Sequence, residues 1–345
     1  MQNNELTSVS AYLDEAILLY GPRKSGTTLT QSLLDGGRAM LMVPGELKIK
    51  WLASGVDKEG SAFKEFYLQR GRSYFADIAG AGNSSTNCGD FRLGNLTEQQ
   101  THALFNKENY ISQLSKCASH SQNSVRAMIK QDVSAFEAAM KVGPREYTKW
   151  ASKEVGGDPR AVLSFFYDAF PTGKVIYLVR EPRFIVRSIV LERKRRGIRL
   201  SLRQIIGECF EAQNVVNYAY EIADELGHAK LIVTYENLTS NTSSQIADIA
   251  EFLDIPNEPI LRVPTTLGVP GTVATSSKMT NDVFQQPRSW KAGLTLRERM
   301  LISFFFQIAP VLYKLSGPDH HLRWAAGTFV RYSEILKRGA SVGGG

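Results

Sequence analysis

The sequence predicts an α/β fold: a doubly wound parallel β-sheet flanked by helices, interrupted by a mainly helical insertion. Three observations predict it. Short aliphatic runs rich in β-branched residues recur along the chain, a polar turn follows each, and three of them lead into segments with apolar residues at helical spacing. Strand-to-helix alternation of this kind builds a parallel sheet that binds ligands at the carboxyl ends of its strands.

The four runs are Ala16–Tyr20 (AILLY), Ala127–Lys130 (AMIK), Lys174–Val179 (KVIYLV) and Lys230–Tyr235 (KLIVTY), with Met40–Val43 as a further short strand. No strand is expected between Trp51 and Ser124. That stretch holds the Gly80–Ser85 run GAGNSS and several amphipathic pieces, so residues 52–124 read as a helical insertion suited to contacts with an acceptor. Gln245–Leu253 has helical spacing, and Ile255–Thr280 is a long irregular segment rich in Pro, Gly and Thr. Residues 1–338 are expected to form one domain, with 339–345 a disordered tail.

Bulk composition excludes several classes. The chain of 345 residues is 43% hydrophobic and 22% charged, an ordinary globular balance. Lys and Arg outnumber Asp and Glu, 41 to 34, and the net charge of +7 favours anionic ligands without choosing among them. Cys88, Cys117 and Cys209 form no Cys-x-x-Cys pair or Cys/His cluster, which argues against a zinc site or a disulfide framework. No metal is expected. The apolar stretch Met300–Tyr313 is too short to span a bilayer and reads as a buried helix. The opening residues lack a signal-peptide pattern, so a soluble, cytoplasmic chain is expected, with at most peripheral membrane contact.

The sharpest motif is Gly21-Pro22-Arg23-Lys24-Ser25-Gly26-Thr27-Thr28, directly after the strand AILLY and opening the helical run LTQSLLDGG. Glycines let backbone N–H groups approach a phosphate, the helix N-terminus adds partial positive charge, and hydroxyls and a lysine supply further donors. The fold class is therefore α/β and P-loop-like. A triphosphatase loop would carry Lys immediately after the second Gly; here Thr27 follows Gly26 and Lys24 precedes it by two positions. ATP or GTP hydrolysis is weakened by that displacement.

The string GPRKSGTT and the LLDGG after it resemble the 5′-phosphosulfate loop of the sulfotransferase superfamily, and within it the glycan and tyrosylprotein branches. The resemblance implies 3′-phosphoadenosine-5′-phosphosulfate (PAPS) as sulfuryl donor, with adenosine 3′,5′-bisphosphate (PAP) as product. Lys24 would neutralise the bridging oxygen, and Arg23, Ser25, Gly26, Thr27 and Thr28 would surround the 5′-phosphate. Lys174–Ser188 (KVIYLVREPRFIVRS) resembles the family's strand–Arg–Asp–Pro–Arg–helix segment, with Glu181 in place of Asp. By that likeness Arg180 and Ser188 bind the 3′-phosphate. Arg288, in Arg288-Ser289-Trp290-Lys291, resembles the basic residue of the segment that closes over the nucleotide. The Tyr235-Glu236-Asn237-Leu238 run resembles a structural element of the family.

A general base must take the acceptor's proton. The position of the family's Lys-Thr-His pattern is read here as Ile129–Val133, which has no His. Glu46, in Val43-Pro44-Gly45-Glu46, resembles the Gly-Glu element of the tyrosylprotein branch and is the expected base; Asp132 is the reserve. Lys48, Lys50 and Lys130 are expected to line the same cleft. The basic run Glu192–Arg199 reads as a solvated face, and without interleaved aromatics nucleic-acid binding is disfavoured. The expected enzyme is a bacterial-type sulfotransferase with a glycan, glycolipid, lipid or metabolite acceptor. A divergent P-loop kinase and a non-catalytic anion-binding module remain as alternatives.

Overall fold

The computed structural model describes residues 11–56, 62, 65, 66, 101, 103–117, 124–142, 146–226, 230–270, 273, 274, 279, 280 and 289–316. In chain order the main elements are β1 (Ala16–Gly21), α1 (Thr27–Leu34), β2 (Met40–Glu46), α2 (Ile49–Ala53), α3 (Lys107–Cys117), α4 (Val125–Ala139) and β3 (Lys149–Val155). They continue as α5 (Pro159–Ala169), β4 (Lys174–Val179), α6 (Pro182–Arg195), α7 (Leu202–Leu226), β5 (Lys230–Thr234), α8 (Tyr235–Ser240), α9 (Thr242–Leu253) and α10 (Leu296–Ser316).

Five parallel strands lie in the order β2-β3-β1-β4-β5. The chain leaves central β1 for the far edge at β2, returns to β3, and crosses over β1 to reach β4. The order thus reverses around β1, and a reversal of this kind opens a crevice at the carboxyl ends of the strands. Burial on both faces explains the unbroken aliphatic run of β1: Leu18 and Tyr20 enter the core beneath α4, α5 and α7, while Ile17 and Leu19 enter the core beneath α1, α8 and α9. A third apolar cluster joins α6, α7 and α10 through Ile185, Ile189, Cys209, Val216, Ile302 and Phe306. Met300–Tyr313 lies within α10 but is not the wholly buried helix expected: Ile302 and Phe306 pack on this cluster while Met300 and Phe304 are exposed. Among the described residues no helix is long and apolar enough to cross a membrane.

One expected strand is a helix. Ala127–Lys130 lies inside α4, whose start is capped by Ser124: its Oγ accepts the N–H of Ala127 at 3.1 Å. Met128, Ile129, Val133, Phe136 and Ala139 all face the core, the spacing of a helix. A four-residue apolar run cannot distinguish the two states. The strand that completes the sheet is instead β3, KWASKEV, in which Ser152, Lys153 and Glu154 are buried together with Trp150 and Ala151. Its polar half masks it in the sequence because that half points to the crevice.

The segment after α9 is irregular, with a two-residue hairpin pairing Thr265–Thr266 to Val269–Pro270. Asp35, just past α1, fastens it: Oδ2 accepts from Thr265 Oγ1 at 2.9 Å and from the Gly268 N–H at 2.6 Å. Most of the expected insertion, and the 339–345 tail, lie outside the described residues.

Trp150 anchors the new strand. It is fully buried, meets Phe170 edge-on at 5.4 Å between centroids, and donates its indole N–H to the Leu13 carbonyl at 3.1 Å. Trp150→Ala should cost about 3–5 kcal/mol, the range for emptying a large aromatic site, read from denaturant unfolding.

Candidate active site

β1 ends at Gly21, and the chain turns sharply before α1 begins at Thr27. The Ser25 N–H returns to the Pro22 carbonyl at 3.2 Å, with Lys24 (φ 66°) and Gly26 (φ 106°) both in left-handed conformations. Alternation of this type turns successive N–H groups toward one concavity and makes an anion nest. No side chain caps α1, so its first amides are left to whatever occupies that concavity. The Ser25 hydroxyl is fully buried against Gly21, with no hydrogen-bond partner.

Two glycines are required by space. A Cβ on Gly21 would stand 2.4 Å from the Leu178 carbonyl oxygen, and one on Gly26 would stand 2.5 Å from the Tyr235 ring. The loop is therefore pressed between β4 and the first residue of α8.

Arg180 follows β4 directly. Its Nη1 donates to the Lys24 carbonyl at 2.9 Å and to the Ser188 hydroxyl at 3.4 Å, and its guanidinium lies 4.1 Å from the Tyr235 ring centroid. Arg180 and Ser188 are both buried, and Pro182 at the first turn sets α6 so that Ser188 faces the arginine. The loop after β1 and the segment after β4, 156 residues apart at Lys24 and Arg180, thus share one hydrogen-bonded junction. Glu236 is structural: its Oε1 accepts the Glu181 N–H at 3.2 Å and steadies this turn.

Glu46 ends β2 in register with Lys153 of β3, at the carboxyl edge of the sheet. Lys153 was not anticipated. It is buried, and its ammonium donates to the Thr28 hydroxyl at 2.8 Å, which puts a second lysine on the loop. The signal for it was the Lys-Glu pair just before Gly156-Gly157, concealed by the assignment of the strand to 127–130. Glu154, beside it, accepts the Ile49 N–H at 3.3 Å, and Leu47 donates its N–H to the Lys153 carbonyl at 2.7 Å. These bonds hold the Glu46–Lys50 stretch against the end of β3, with Lys50 Nζ 3.7 Å from the point where a Gly157 Cβ would stand.

Other expected residues lie elsewhere. Lys130 pairs with Asp14 at 2.5 Å, just before β1 begins and so at the opposite edge of the sheet. Asp132, no longer at a strand end, is buried on α4 and accepts a hydrogen bond from the Tyr110 hydroxyl. Arg288 lies outside the described residues. Trp290 packs in the apolar cluster of α6 and α7, 5.8 Å from the Arg183 guanidinium. Among the described residues no group of three or more His, Cys, Asp or Glu could hold a metal ion.

Charge around the loop is mixed. Lys24 Nζ lies 2.6 Å from Glu192 Oε2, and Arg196 reaches Glu192 Oε1 at 2.5 Å. Burial would raise the Glu192 carboxyl, but Lys24, Arg196 and Arg23 outweigh it and hold the group below its ordinary range. Glu208 on α7 is pushed the other way, up, because burial outweighs the attraction of Arg23.

A turn with the geometry of an anion nest thus lies at the switch point, with an arginine–serine pair beside it, at the carboxyl edge of a parallel sheet. The sequence matches the family model described as "Sulfotransferase family" over residues 16–259, well over half the chain, and the protein belongs to that family. Its reaction is the transfer of a sulfuryl group from PAPS to an acceptor.

No functionally curated protein matches the sequence. Among solved structures, the sulfotransferase domain of the olefin synthase of Synechococcus PCC 7002 is 19% identical, with a TM-score of 0.46, covering 84% of this chain and 93% of that one. The sulfotransferase domain from the curacin biosynthetic pathway is 17% identical, with a TM-score of 0.44, covering 83% and 95%. Retinol dehydratase in complex with androsterone and inactive cofactor PAP is 13% identical, with a TM-score of 0.40, covering 92% and 86%. The family assignment rests on the sequence match.

Gly26→Ala tests the loop. The added methyl meets Tyr235 and the backbone must leave φ 106°, so the variant should fold yet lose most of its affinity for PAP, measured by calorimetric titration against wild type.

Proposed function

We propose that the loop 21–28 takes the 5′-phosphosulfate of PAPS and that Arg180 and Ser188 take its 3′-phosphate, with Glu46 as base. The observation that supports this reading is the Arg180 bridge to the Lys24 carbonyl and the Ser188 hydroxyl, which joins the two segments proposed to hold the phosphates. An arginine fork suits a terminal phosphate, and a nest of amides suits one embedded in a chain.

The acceptor oxygen attacks sulfur in line, its proton passes to the Glu46 carboxylate, and the bond from sulfur to the bridging phosphate oxygen breaks. Such a transfer passes through a loose transition state, so positioning and neutralisation of the departing charge carry the catalysis. Lys24 of the loop and Lys153, which reaches it from β3, would meet that charge. Arg23, half-exposed at the rim, adds a longer-range attraction for the incoming donor. The acceptor is a hydroxyl or amine of a glycan, lipid or metabolite, selected by residues 52–124. The reaction needs no metal. A cytoplasmic setting agrees with the buried free thiol of Cys209.

In a thermal-denaturation series, PAP should raise the melting temperature without added metal, and ATP, GTP and AMP should raise it less. A larger shift with Mg²⁺–ATP would favour a kinase. Lys24→Ala and Arg180→Ala should each reduce sulfuryl transfer to background. Glu46→Ala should bind PAP as wild type does but lower kcat about 10²–10⁴-fold, the usual range for a lost general base.

A further inference from the structure

The lysine expected to meet the leaving group is held by a carboxylate. Glu192 lies one helical turn beyond Ser188 on α6, is 4% exposed, and places Oε2 2.6 Å from the Lys24 ammonium. A fixed negative charge beside two phosphate subsites opposes the ligand those subsites are built for. Packing of α6 does not explain it, because the Glu192–Arg196 pair, four residues apart on one helix, already satisfies the other oxygen at 2.5 Å. The arrangement does have a consequence for exchange. When Lys24 turns to a phosphate, Glu192 keeps Arg196 and is not stranded as a lone buried charge.

We propose that Glu192 is a positioning residue that competes with the nucleotide for Lys24. It holds the ammonium while the site is empty, yields it to the donor, and reclaims it as PAP departs. Every binding event must break the Lys24–Glu192 pair, so nucleotide affinity is lower than the cradle alone would provide. The corresponding benefit is release: the carboxylate draws Lys24 away from the product phosphate. The proposal rests on the assignment of loop 21–28 to the 5′-phosphate.

The test is a double-mutant cycle on PAP binding by calorimetry, using wild type, Glu192→Gln, Lys24→Ala and the double variant. Glu192→Gln keeps the shape and removes the charge. It should tighten PAP about tenfold, which corresponds to about 1.4 kcal/mol. In steady state it should lower both kcat and the KM for PAPS, because release slows while binding improves. In the Lys24→Ala background the same substitution should tighten PAP much less, leaving only the direct repulsion between Glu192 and the phosphates. Glu192→Met, neutral and of similar size, should repeat the gain and guards against a folding defect peculiar to the amide.

Unchanged or weakened binding in both Glu192 variants overturns the proposal. An equal gain with and without Lys24 also overturns it, since the carboxylate would then act by bulk repulsion alone. Failure of the wild type to bind PAP would instead overturn the assignment of the site, and the inference with it.

Discussion

The site depends on one guanidinium. Arg180 leaves the end of β4 and hydrogen-bonds the Lys24 carbonyl, so the loop after β1 and the helix after β4 cannot move independently. The same group reaches Ser188 and lies against Tyr235, whose ring in turn covers Gly26. A buried arginine needs its donors satisfied, and here a backbone carbonyl and a hydroxyl both accept from it. Strand order makes this possible: β1 and β4 are neighbours, so their following loops emerge side by side at the carboxyl edge.

Close packing then decides residue identity around that bond. Gly21 passes against the Leu178 carbonyl and Gly26 against Tyr235, leaving no room for a Cβ at either place. Ser25 is sealed within the turn with its hydroxyl unanswered, and Lys153 comes up from β3 to hold Thr28. The loop is thus braced from three directions: β4 below, α8 above and β3 at the side.

Much of this was visible in the residues themselves, and what was not has a physical reason. β1 and β4 announce themselves because both their faces are buried nearly end to end, and β5 through its Leu231-Ile232-Val233 run. GPRKSGTT stood out because a turn with left-handed positions pressed between neighbours restricts its residues, and the Arg180–Ser188 spacing because a strand-end arginine meets a hydroxyl two helical turns on. β3 was hidden, since Ser152, Lys153 and Glu154 are polar for the sake of the crevice and break the aliphatic pattern. Its loss from the reading moved the third strand to Ala127–Lys130, and with it Lys130 to the wrong edge of the sheet and Asp132 to a strand end it does not occupy. The Lys24–Glu192 pair could not be foreseen at all: 168 positions separate the two residues, and nothing local marks Glu192 as other than a surface charge on a basic helix.

A crystal structure with adenosine 3′,5′-bisphosphate tests the central claim most directly. The account predicts the 5′-phosphate against the amides of Ser25–Thr28 and the 3′-phosphate against Arg180 and Ser188, with the Arg180 bond to the Lys24 carbonyl intact. Density for the nucleotide at one of these positions with the other filled by solvent, or a bound molecule lying away from the β1–β4 crevice, would contradict it.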